Sequence, residues 1–179
     1  MDTIEVYRRR AAYNRWMNER LFAIADEMGE DARRLDRGAF FGSVHGTLGH
    51  ILLGDRIWLR RLTGDLERHV LPGPDGLPMD SVRLDVDLYP DFDDLRRERA
   101  RTDADLSAWI DGLTPDALAG DVTYTTTTGA EHTHPLWWAV EHLLNHQTHH
   151  RGQVTTLMMQ AGHDPGVTDL AAMLRAEGA

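Results

Sequence analysis

The chain has 179 residues, ten of them histidine, with no cysteine and, since all nineteen basic residues are arginine, no lysine. Its formal net charge of −10 argues against a nucleic-acid binder, whose affinity comes largely from cations that neutralise phosphates, and against docking on anionic membrane surfaces. The missing thiols exclude a disulfide framework, a thiolate zinc site, an iron–sulfur cluster and a cysteine nucleophile.

The length suits one domain over 1–179, able to bury about 70% of its unfolded surface. The start, from Met1 to Arg8, has no signal-peptide stretch, and the longest apolar run, Leu136 to Val140, is far short of the ~20 residues a membrane helix needs. A cytoplasmic protein is expected.

Helical periodicity runs first from about Thr3 to Met28, with apolar positions at Ile4, Tyr7, Ala11, Trp16, Leu21, Ile24 and Met28, and Gly29 as the stop. A second helix is expected from the N-cap Ser43 to Leu62, ending at Thr63-Gly64. Residues 65–90 form a long connection with Pro72, Pro74, Pro78, Pro90 and an Asp75-Gly76 turn. Connections of that length often cover a site. The third helix spans about Asp91 to Leu113. From Asp80 to Asp121 there are twelve acidic residues against five arginines, read as a solvated face. Thr123 to Thr127 and Ala130 to Thr133, around Thr128-Gly129, form a small β-hairpin. Pro135 opens the fourth helix, Leu136 to Gln160, which Gly162 stops. Asp169 to Arg175 forms one more short helix. The fold class is all-α: a four-helix bundle with a long crossover loop between helices two and three and a hairpin before helix four.

Eight histidines fall in two places: His45 and His50 on helix two, and His132, His134, His142, His146, His149 and His150 in and before helix four. At 100° per residue, with His142 at zero, His149 lies near −20°, His146 near 40° and His150 near 80°, while the core stripe runs from about 60° to 160°. His146 and His150 are therefore nearest the interior, with the i, i+4 spacing of two metal ligands on one helix. The third ligand must come from another helix. His50 flanks the apolar face of helix two, and His45, about 140° round that helix, cannot enter the same site. The expected triad is His50, His146 and His150. Three imidazoles without thiolate suit zinc or nickel first, iron or copper next, and leave a coordination position open as in a catalytic site. His-Glu-x-x-His is absent, and the one Glu-x-x-His, Glu131 to His134, lies in the hairpin, so a single divalent ion is expected.

Three segments carry a resemblance: Tyr13-Asn14-Arg15-Trp16-Met17-Asn18-Glu19-Arg20-Leu21, Gly42 to Leu59 with its Gly-Ser-Val-His-Gly-Thr-Leu-Gly-His start, and Asn145-His146-Gln147-Thr148-His149-His150-Arg151-Gly152-Gln153. They resemble the DinB family, the damage-inducible four-helix proteins, over nearly the whole chain, and the closing His-x-x-His-His-Arg-Gly-Gln is its most specific part. The resemblance places the family's metal-binding histidines on His50, His146 and His150. It also implies kinship with S-transferases and isomerases that use low-molecular-weight thiols such as bacillithiol or mycothiol, and a homodimer.

Supporting roles are expected from Asn14 and Asn18, which could orient a ligand imidazole, and from Gln153, on the histidine side of helix four. His142 and His149 are neighbours on the same face. Asp55 and Glu141 are read as surface carboxylates, Trp58, Trp137 and Trp138 as core, and Gly152 as a point of close backbone packing. No catalytic residue is assigned. The expected function is a mononuclear metalloenzyme of thiol S-transferase or hydrolase type; the alternative is a non-catalytic metal-binding stress protein.

Overall fold

A computed structural model describes residues 2–65, 86–126 and 128–178. Its helices are α1 (Thr3–Glu27), α2 (Gly29–Arg34), α3 (Val44–Thr63), α4 (Phe92–Asp111), α5 (Pro115–Ala119), α6 (Leu136–Gln160) and α7 (Leu170–Ala176), with strands β1 (Asp121–Thr125) and β2 (Glu131–Pro135) ahead of α6. Most of the connection between α3 and α4, with Pro72, Pro74, Pro78, Asp75-Gly76 and His69, lies outside the described residues.

The helix ends follow local chemistry. Asp2, Ser43, Asp91 and Thr114 each place a side-chain oxygen on a backbone N–H of the first turn of α1, α3, α4 and α5, satisfying donors that have no partner within the helix. Gly64 ends α3 in the left-handed conformation, φ 68°, which a side chain disfavours. Gly29, also left-handed, ends α1, but the chain turns straight into α2 instead of a loop. The short α5 is a further addition, started by Thr114 and Pro115. The hairpin strands sit one to two residues further out than the sequence reading placed them, and Thr127 lies outside the described residues. Thr126 N–H bonds the Ala130 carbonyl at 2.8 Å, and Asp121 pairs with Pro135.

The four long helices pack as a bundle in which α1 lies against α4 and α6, and α3 against α6 and α4. Their core has two apolar halves. One holds Met17, Leu21, Leu48, Leu52, Leu95, Val154 and Met158; the other holds Ile4, Ala11, Leu59, Leu106, Ile110, Val140 and Leu143. Between them runs a buried polar layer of Asn14, Asn18, Asp55, Arg99, Asp103, Gln147 and Arg151. Arg99 donates to Asp55 at 2.5 Å and to Asp103 at 2.8 Å. Asn18 donates to Asp103 at 3.0 Å, and Arg151 donates to Asn14 and to Gln147. Two arginines and two aspartates cancel, as buried charges require. The acidic stretch is thus not wholly a solvated face: Arg99 and Asp103 point inward and bind α4 to α1 and α3.

Candidate metal centre

The centre forms where α3 and α6 cross at the level of the polar layer. His50 projects from α3, and His146 and His150, one turn apart, from α6. One ligand nitrogen from each lies within 4.8 Å of the others. Nε2 of His50 is 3.1 Å from Nε2 of His146, and the His150 ring stands edge-on to both, at 4.5 and 4.4 Å between centroids. Tetrahedral imidazole ligands at 2.0–2.1 Å from an ion hold their nitrogens about 3.3 Å apart, and the 3.1 Å between Nε2 of His50 and Nε2 of His146 is close to that spacing. No carboxylate belongs to this group among the described residues.

The surroundings favour the neutral forms of His146 and His150. Burial pushes the His146 pKa down to about 3, and the other histidines around it add to the shift. Burial also lowers His150, against the opposing hydrogen bond to Gln153. Nδ1 of His146 is buried without a hydrogen-bond partner among the described residues. Gln153 Oε1 sits 2.8 Å from His150 Nδ1, which places the proton on Nδ1 and leaves the Nε2 lone pair for a ligand bond.

Two contacts shape the centre that sequence reasoning did not single out. Gly54, one turn after His50, lies directly beneath the His146 ring: a Cβ at this position would stand 2.8 Å from His146 Cε1. Phe41 stacks on His50 at 3.7 Å between ring centroids, 17° from parallel, and meets His150 edge-on at 5.5 Å. It is set by a tight turn in which Gly42 N–H reaches the Ala39 carbonyl at 2.9 Å, with Gly42 at φ 70°. The Phe40-Phe41-Gly42 run just ahead of the Ser43 cap was the available sign.

The remaining expectations divide. His142 leans on Trp58 at 5.0 Å and lies 6.0 Å from His146 between ring centroids. His149 is exposed and adjoins His150 and Gln153. Neither belongs to the converging group. His45 faces away from it, as its angle implied, with Nε2 3.0 Å from the Tyr89 carbonyl and 3.3 Å from Asp87. Asn14 and Asn18 turn into the polar layer, towards Asp103 and Arg151, and not towards an imidazole. Asp55 is no surface carboxylate: it is 0% exposed, and burial lifts its pKa to about 6 in spite of Arg99. Glu141 does stand at the surface, paired with Arg10. Trp58 is core, but Trp137 and Trp138 are 45% and 52% exposed, because the first turns of α6 carry them on its outer side. Gly152 meets nothing within 4 Å of a Cβ position; its carbonyl accepts from Thr155 and Thr156 instead.

No helix among the described residues is long and apolar enough to cross a membrane. The family model described as "DinB family" matches residues 5–178. The chain is similar to "Protein DinB" of Bacillus subtilis (strain 168), 22% identical over 166 residues that cover 90% of each protein.

Proposed function

The chain belongs to the DinB family, and we propose that it is a mononuclear metalloenzyme of thiol S-transferase or hydrolase type, with one divalent ion, zinc or nickel, held by His50, His146 and His150. The observation that carries this reading is the convergence of three imidazoles, with Nε2 of His50 and His146 3.1 Å apart. Two such nitrogens face to face share at most one proton, and a cation between them uses both lone pairs. Such an ion, when bound, supplies the Lewis acidity that lets a thiol or a water give up its proton near neutral pH.

The protein's own groups prepare that chemistry. Gln153 fixes the His150 tautomer. Phe41 covers one face of His50 and keeps water from it. Gly54 admits the His146 ring. With no cysteine in the chain, a sulfur nucleophile has to come from outside, which favours a low-molecular-weight thiol as cosubstrate, in line with the family resemblance. A homodimer is proposed on the same resemblance. A non-catalytic metal-binding protein would be favoured by a fourth imidazole closing the shell; His142 and His149 stand outside the converging group.

Elemental analysis of protein purified without a nickel resin tests the reading. About one equivalent of metal per chain is expected; no metal, together with no thermal stabilisation on adding zinc or nickel, would overturn it.

A further inference from the structure

Arg61 lies on the same face of α3 as His50 and Gly54, within about 20° of His50 and three turns further on. Its guanidinium carbon sits 4.9 Å from the centroid of the Trp58 ring and 5.0 Å from that of Tyr124. Folding back over Trp58 brings it one turn towards the metal centre, the direction in which helical side chains lean. Trp58 in turn touches His142, and His142 adjoins His146, so a continuous wall of rings joins Arg61 to the triad.

Many arginines among the described residues have carboxylate partners, among them Arg8, Arg10, Arg34, Arg56, Arg96 and Arg99. The Arg61 guanidinium is half-buried and, among the described residues, has ring contacts but neither an ion pair nor a hydrogen bond. A desolvated cation stacked on aromatic faces keeps its in-plane N–H groups for an oxyanion, which guanidinium binds in a two-pronged fashion.

We propose that Arg61 is a substrate-positioning residue: it holds a carboxylate or phosphate at the far end of an elongated substrate whose reacting end lies at the His50–His146–His150 centre. The eight residues from His50 to Trp58 rise about 12 Å, which sets the span between the two ends. The metal part of this inference rests on the function proposed above, while anion capture by Arg61 does not.

The test uses a ruler. Zinc-loaded protein is titrated calorimetrically with 3-mercaptopropionate, 6-mercaptohexanoate and 8-mercaptooctanoate, each beside its matching mercaptoalcohol. The alcohols report the thiol end alone. The acid-to-alcohol affinity ratio is expected to rise at least about tenfold from the shortest to the longest pair, to collapse in Arg61→Gln and to survive in part in Arg61→Lys. A ratio that ignores chain length, or that is unchanged in Arg61→Gln, overturns the proposal. In metal-free protein, octanoate should shift the Trp58 indole resonance in the wild type and not in Arg61→Gln; no shift in the wild type also overturns it. If no thiol binds the zinc-loaded protein and octanoate still shifts Trp58, the thiol reading of the metal centre fails and the anion site stands.

Discussion

Gly54 and His146 are matched across the α3–α6 interface: the imidazole occupies the space a side chain at position 54 would need, with Cε1 2.8 Å from where a Cβ would stand. Glycine inside a helix costs about 1 kcal/mol against alanine, and here that cost secures the position of a metal-ligand candidate. Gly54→Ala should keep its helical content while lowering zinc affinity by about 10–100-fold, the range seen when a group that supports a ligand is lost. Circular dichroism and a competition titration would check this. Unchanged affinity would mean that His146 sits elsewhere in the metal-bound protein.

His146 shares with His50 the 3.1 Å nitrogen contact of the centre. His146→Ala should abolish stoichiometric binding, whereas His163→Ala, at a residue beyond the C-terminal end of α6, should leave it intact. Metal content of the two variants after identical purification decides the matter.

Gln153 and Asn18 separate the centre from the core. Gln153→Ala removes the acceptor for His150 Nδ1 and should weaken metal binding about 10–100-fold with little change in stability. Asn18→Ala strips a donor from buried Asp103; it should cost about 1–3 kcal/mol in denaturant unfolding and leave metal affinity unchanged. The opposite pattern would return Asn18 to the metal centre.

The polar layer predicts a larger loss. Arg99 joins Asp55 and Asp103 inside the bundle, and removing one partner of a buried pair leaves an uncompensated charge, worth about 3–5 kcal/mol. Arg99→Met should be destabilised on that scale in urea, and a further Asp103→Asn change should recover part of the loss. Additive losses in the double variant would show that the two residues do not act as a pair.

Acid should destabilise the metal-free protein through His146. Folding depresses its pKa from 6.5 to about 3, so between those values the unfolded chain binds more protons, and the stability this group contributes above pH 6.5 is lost as pH falls towards 3. Asp55, raised from 3.8 to about 6, acts in the opposite direction over its own window. Melting curves of the metal-free wild type and His146→Gln from pH 7 to 4 isolate the histidine: the wild type should lose stability more steeply. Parallel pH profiles would show that His146 is not buried in the folded protein.

The sequence by itself determined the local structure and which histidines share a face. The periods of α1, α3, α4 and α6, the cap at Ser43, and the i, i+4 spacing of His146 and His150 arise within one helix, where 3.6-residue geometry fixes angles without knowledge of neighbours. The helix-two angles went one step further and separated His50 from His45. Only the tertiary structure decided what each polar side chain meets. Asp55 and Arg99 read as surface charges because ionised groups are rarely buried without partners, and each partner lies on a different helix, 44 residues away. Asn14 and Asn18 read as supports for a metal ligand until Asp103 and Arg151, 89 and 137 residues from Asn14, claimed them. Phe41 on His50 and Gly54 beneath His146 were equally hidden, since a stacked ring and an occupied space are relations between chain segments. The spacing of α3 and α6 creates them, and no single helix records that spacing.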